Sequence, residues 1–131
     1  MRLLLDTQTL LWWLEDSPRL GRRAHDSIAD PATAIWISAV SAWEIVIKVA
    51  AGRLRTAEAP EVAITREMDA LGFQPLPVTI PHALVVGTLP AHHSDPFDRM
   101  LIAQARSDGL TIVTSDSVFE RYDVAVLDAR H

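Results

Sequence analysis

The sequence predicts an α/β fold on a parallel sheet, in a single domain spanning residues 1–131. Three observations carry this expectation. Short β-like runs alternate with stretches of helical periodicity, the pattern that parallel sheets with crossover helices produce. Turn residues punctuate the chain at the junctions, at Ser17-Pro18, Asp30-Pro31, Gly52, Gly72 and Gly109. A chain of 131 residues, 49% hydrophobic and 22% charged, also suits one compact core. No repeat, low-complexity tract or long linker divides it.

Arg2–Leu5 is a short apolar run that stops at Asp6 and reads as the first strand. Thr9–Glu15 follows as a helix ended by Ser17-Pro18. Leu20–Ala29 is a polar-faced helix ended by Asp30-Pro31, because the residue before proline disfavours helical backbone. Ala34–Ile37 is the second strand. Ala39–Ala51 is helical, with Gly52 just beyond it, where a left-handed residue closes a helix well. Pro60 suits the first turn of a helix that reaches Leu71 and is closed by Gly72. Phe73–Leu76 is a short strand, Pro81–Gly87 a short helix and Leu89–Ser94 a loop. Asp95-Pro96 opens a helix running to about Ser107, with Gly109 after it. Thr111–Thr114 is a strand, Val118–Tyr122 a helical turn and Val124–Leu127 the last strand.

Composition narrows the function classes. There are no cysteines, which excludes disulfides, thiolate metal sites and cysteine nucleophiles. No apolar run approaches the roughly 18 residues that cross a bilayer. The apolar N-terminal run stops at Asp6, too soon for a signal peptide. The expectation is a cytoplasmic protein with no membrane contact. Net charge is −5, against the basic balance of a protein that grips nucleic acid over a broad surface. A nuclease remains compatible, because an acidic metal site itself contributes negative charge.

Four acidic residues stand where elements begin or end, or lie within an apolar segment: Asp6, Glu44, Asp98 and Asp116. Ligands in open α/β sheets bind beyond the carboxyl ends of strands, where Asp6 and Asp116 fall. Either could instead be a helix cap or a turn residue. Asp98 falls at the third position of its helix and suits the helix dipole. It also shares a face with Leu101, Ile102 and Ala105, which aims it inward. Glu44 lies in a helix apolar almost all round, with Lys48 four residues on as an ion-pair partner. Carboxylates brought together repel one another, and hard divalent cations favour carboxylate and water oxygens. The four acids therefore predict a metal site, with phosphodiester hydrolysis as its chemistry.

Four segments occur in order along the chain: LLLDT at Leu3–Thr7, SAWEI at Ser41–Ile45, DPFDRMLIAQA at Asp95–Ala105 and TIVTSD at Thr111–Asp116. Together they closely resemble the PIN-domain family, and within it the VapC-type toxins of bacterial toxin–antitoxin systems. The resemblance covers essentially the whole chain. It implies a Rossmann-like three-layer α/β/α sandwich with a central parallel sheet. Carried over residue by residue, it makes Asp6, Glu44, Asp98 and Asp116 the catalytic and metal-binding acids. Thr7 and Thr114 match the hydroxyl positions that support them, and Asp95 is a helix cap and a weaker ligand candidate. The implied cofactor is Mg²⁺ or Mn²⁺, the activity endoribonuclease cleavage, and the partners RNA, a cognate antitoxin and a second copy of the chain.

Other residues carry weaker expectations. His92 and His93 stand beside the acids and are candidates for RNA contact, against the plainer reading of solvated loop side chains, and Arg99 could reach a phosphate or balance the acids, against an exposed ion pair. Arg19, Arg22 and Arg23 could touch an RNA backbone or simply form a solvated helix face. Trp12 and Trp13 are adjacent, so both cannot face one core. They and the helix Val40–Val49 are candidates for the dimer and antitoxin interfaces, while ordinary core is the plainer reading for all four tryptophans, Trp36 and Trp43 included. Competing classes are a receiver-type signalling domain, a noncatalytic binding module whose acids are caps, an acyl-phosphate phosphohydrolase and a PIN-type housekeeping nuclease without an antitoxin. The receiver would need paired acids after the first strand and a late lysine. Here Thr7-Gln8 follows Asp6, no lysine follows Lys48, and the D-x-D start of the phosphohydrolases is absent.

Overall fold

A computed structural model describes residues 1–131. The strands are β1 (Arg2–Leu5), β2 (Ala34–Ser38), β3 (Gln74–Leu76), β4 (Thr111–Thr114) and β5 (Val126–Asp128). The helices are α1 (Thr7–Leu14), α2 (Arg22–Ala29), α3 (Ala39–Ala50), α4 (Pro60–Leu71), α5 (Ile80–Val86) and α6 (Pro96–Asp108), with a 3-10 turn at Ser117–Arg121. The sheet is parallel throughout, in the order β3-β2-β1-β4-β5.

Both faces of the sheet are covered. Leu3 and Leu5 project into one apolar cluster with Leu10, Ile28, Ile35, Ile37 and Ile64, under α1, α2 and α4. Leu4, between them, projects to the opposite face and packs with Leu101, Ile102, Ile112 and Phe119, under α5 and α6. All three leucines are fully buried. A strand whose three successive leucines leave neither face polar has no solvent face to offer there, so two helical layers must enclose it. This is the three-layer sandwich.

Element ends follow local chemistry. The first helix begins at Thr7, earlier than the expected Thr9, because the Asp6 side chain accepts from the Thr9 N–H at 2.8 Å and caps it. Helix α2 begins at Arg22 because Leu20 is drawn into the core before the helix starts. Gly72 and Gly109 take left-handed backbone, φ +71° and +68°, and close α4 and α6 as glycine does without strain. The last strand lies two residues later than Val124, because Val126 is the residue in register with Ile112.

The chain runs outward from β1 through β2 to β3, then returns to place β4 on the other side of β1. The strand order therefore reverses between β1 and β4. Such a reversal leaves a crevice beyond the carboxyl ends of the two strands, because their connections depart to opposite faces.

A buried polar link holds the α6 layer at that edge. The Ser38 hydroxyl donates to Gln104 Oε1 at 2.7 Å, and Gln104 Nε2 donates to the Pro77 carbonyl at 3.3 Å. Gln104 is fully buried, so it ties the ends of β2 and β3 to α6 where water cannot substitute. Gln104→Leu conserves volume but strands both partners. It should cost about 1–3 kcal/mol, read as a lower urea midpoint with an unchanged slope.

Candidate active site

Asp6 leaves the end of β1 and Asp116 follows β4, so the two flank the reversal point directly. Glu44 arrives from α3, which begins immediately after β2, and Asp98 from the first turn of α6. All four line one cleft of about 340 Å³, with Lys48 and Arg53 at its rim. The structure thus brings the four sequence-predicted acids to a single place.

Capping and cleft-facing roles coexist. Asp6 Oδ1 caps α1, and Asp6 also hydrogen-bonds the Thr114 side chain. Asp116 Oδ1 accepts from the Val118 N–H at 3.0 Å, while its Oδ2 lies 3.4 Å from His93 Nε2. The Thr114 hydroxyl also accepts from the Asp116 N–H at 3.1 Å, so one residue orients both aspartates. Thr7 donates to Glu44 Oε1 at 2.6 Å, and Lys48 Nζ lies 2.5 Å from Glu44 Oε2. The i,i+4 ion pair is therefore present, but it is not a surface pair: the Glu44 side chain is buried and lines the cleft. Asp95 caps α6 through the N–H groups of Phe97 and Asp98, at 2.8 and 3.1 Å.

Electrostatics follow from this crowding. Burial pushes the Asp6 carboxyl above its ordinary range, opposed by hydrogen bonds to Thr114 and Thr9 and reinforced by Asp116. Asp98 is pushed up to about 7, first by burial and then by the charges of Asp95 and Asp6, with His93 pulling it down and Glu44 adding to the rise. Carboxyls that raise each other in a shared crevice form a site short of positive charge. Hard oxygen donors in that state fit a divalent cation.

Three expectations need correction. Arg99 does not face the cleft. Its guanidinium donates to the carbonyls of Val86, Leu89, Pro90 and His93, between 2.9 and 3.3 Å, and reaches the Tyr122 hydroxyl at 3.4 Å. Both terminal nitrogens are thus turned to the backbone rather than to the cleft. His93 turns inward, with Nε2 2.8 Å from Asp98 Oδ2, while His92 stays exposed with its ring edge-on to Tyr122. Trp12 is buried and Trp13 half-buried against His25 and Phe73, so neither is an exposed anchor. The exposed tryptophan is Trp43, at 60%. Arg19, Arg22 and Arg23 are exposed and do not line the cleft.

Sequence reading missed Arg53 and the cleft role of Lys48. Both follow from α3: Lys48 is one turn beyond Glu44, and Arg53 follows the left-handed Gly52 that turns the chain back at the helix end.

The raised value of Asp98 has a thermodynamic consequence. The folded chain keeps a proton there that the unfolded chain releases above about pH 4. Stability of the metal-free protein should therefore fall as pH rises from about 4 to about 7, and then level off. Asp98→Asn should remove this share of the slope, leave the part due to Asp6, and stabilise the chain at pH 8 in EDTA. Urea titrations of both proteins across that range test it.

Residues 3–125 match the sequence model of the PIN domain. By sequence alone, no curated protein matches. Among solved structures, the fold is similar to VapBC2 from Rickettsia felis bound to promoter DNA, with TM-score 0.73 and 14% identity, covering 97% of this chain and 98% of that one. It is also similar to DNA-bound VapBC from Salmonella typhimurium, at 0.69 and 21%, covering 98% of each chain. FitAcB from Neisseria gonorrhoeae gives 0.69 and 21%, over 98% of this chain and 99% of that one. With the family model spanning nearly its whole length, five parallel strands and four acids at the reversal point, this chain belongs to the PIN-domain family of nucleases.

Proposed function

We propose that this chain is a VapC-type toxin: a metal-dependent endoribonuclease that hydrolyses RNA phosphodiester bonds in the cytoplasm and is neutralised by a cognate antitoxin. The observation that carries the reading is the convergence of Asp6, Glu44, Asp98 and Asp116 in one cleft at the reversal point. The similarity to VapBC complexes supports the partner. No helix is long and apolar enough to cross a membrane.

Asp6, Asp98 and Asp116 would hold Mg²⁺ or Mn²⁺, and the bound cation would supply charge to offset that on the phosphoryl oxygens and to acidify a water. The protein's own residues do the rest. Thr114 fixes the carboxylates of Asp6 and Asp116, and Thr7 and Lys48 fix Glu44. Glu44, held in this way, orients the attacking water and accepts from it. Lys48 and Arg53 supply the positive rim that an RNA backbone needs beside so acidic a cleft. Removing Asp6 or Asp98 removes charge repulsion as well as a ligand, so a folded but inactive variant is expected. Asp6→Asn and Asp98→Asn should each lower metal-dependent cleavage by at least about a hundredfold, the upper end of what even an outer-shell partner costs. Circular dichroism should remain unchanged, and EDTA should abolish wild-type cleavage. RNA cleavage that persists in purified Asp98→Asn defeats the assignment.

The antitoxin contacts the acids with a basic side chain. Arginine suits this, because its fork binds carboxylates bidentately and competes with the cation. A second copy of the chain covers the apolar surface of α3, where Trp43, Val46 and Ile47 are exposed in the isolated chain. Expression of this chain alone should slow growth, and co-expression of the adjacent small reading frame should restore it. Harmless expression of a folded chain that binds no neighbouring gene product would favour a housekeeping nuclease instead.

A further inference from the structure

The loop between α5 and α6 is bound at unusual density. Arg99 reaches back from α6 and donates to three of its carbonyls, those of Leu89, Pro90 and His93, and to that of Val86 at the end of α5. The Tyr122 hydroxyl donates to the Pro90 carbonyl at 2.9 Å and accepts from the His93 N–H at 2.8 Å. His93 is thus gripped at its N–H by Tyr122 and at its carbonyl by Arg99. Its ring meets Phe119 edge-on, with centroids 6.0 Å apart. All three anchors belong to the well-packed α6 side of the molecule. Their combined effect is to fix one imidazole over the acids.

That imidazole has an unresolved nitrogen. His93 Nε2 lies 2.8 Å from Asp98 Oδ2 and 3.4 Å from Asp116 Oδ2, yet it is buried without an aligned hydrogen-bond partner. Its in-plane axis therefore points at neither oxygen. A nitrogen serving only as donor to one carboxylate would aim at it, since hydrogen bonds weaken steeply off axis. Neighbouring ligands around a divalent cation have a different relation. Each lies about 2.0–2.2 Å from the ion, so they sit roughly 3 Å apart and point past one another. The three candidate ligand atoms all lie within 4.8 Å of one another, which suits a common ion.

We infer that His93 is a ligand of the divalent cation through Nε2, beside Asp98 and Asp116, and that it tilts the site toward Mn²⁺ over Mg²⁺. The inference rests on reading the acidic cleft as a metal site, and adds a nitrogen to its oxygens. Imidazole suits transition ions, whereas Mg²⁺ takes carboxylate and water oxygens. Ligation places the ring proton on Nδ1. The contact then lost is the one from the Asp95 N–H to Nδ1, which at 3.4 Å is already long for a hydrogen bond. A coordinate bond outweighs it.

Pulsed electron paramagnetic resonance on the EDTA-dialysed full chain loaded with Mn²⁺ tests this without reference to cleavage. Wild type should show the ¹⁴N coupling of a directly bound imidazole, a result that needs no variant to fold. His93→Gln should lose that coupling and bind Mn²⁺ at least about tenfold more weakly by calorimetry, with a smaller change for Mg²⁺. Mn²⁺ bound by wild type without ¹⁴N coupling, or coupling that survives in His93→Gln, overturns the inference and leaves the carboxylate site standing, provided Asp98→Asn still loses the ion. Failure of wild type to bind either cation overturns both this inference and the metal-dependent nuclease.

Discussion

Burial of several carboxylates that also repel one another and cannot move apart is the constraint on which this structure turns. Asp6 is anchored to β1, the central strand, whose leucines are packed on both faces. Asp116 follows its neighbour β4, and Asp98 sits in the first turn of a helix tied to the sheet through Gln104. None of these mounts can yield without breaking the core, because close-packed interiors transmit strain rather than absorb it. The charge imbalance is therefore left to chemistry. Thr7, Thr9, Thr114 and Lys48 each relieve part of it by donating to a carboxylate. Burial first, and then the charges of Asp95 and Asp6, still hold the Asp98 carboxyl up at about 7. In the proposed function a divalent cation would offset that charge, at the crevice that the strand order opens.

The fold was legible because its signals are local. A run such as Leu3-Leu4-Leu5, a glycine at Gly72 or Gly109 and the Asp95-Pro96 start each act within a few residues, and the elements appear where they point. The convergence of the acids was legible for a related reason. In a parallel sheet every strand delivers its carboxyl end to the same edge, so two strand-end acids must be neighbours if their strands are.

What stayed hidden depends on contacts between distant segments. Nothing near Arg99 says that the carbonyls from Val86 to His93 will need donors, because that need arises only when the loop folds back over α6. The inward turn of His93 depends on Tyr122, 29 residues away. With two adjacent histidines, local sequence cannot choose which one points in. The tryptophans show the same limit. Trp13 finds a half-buried seat against Phe73 and His25, and Trp43 finds none. Helical periodicity alone cannot tell these cases apart, since α3 is apolar almost all round.

Helix α3 joins the two halves of the functional reading. Glu44 and Lys48, one turn apart, line the acidic cleft, while Trp43, Val46 and Ile47 face out. Trp43 also packs edge-on against Phe97, the residue immediately before Asp98. Around it a groove of about 510 Å³ is lined by Val40, Val78, Pro96 and Met100 as well. Apolar surface left in water costs roughly 25 cal/mol per Å², so this face is a standing drive toward association. Whatever covers it presses on the same two helices that carry Glu44 and Asp98. The exposed apolar groove and the acidic cleft are therefore both built on α3 and α6.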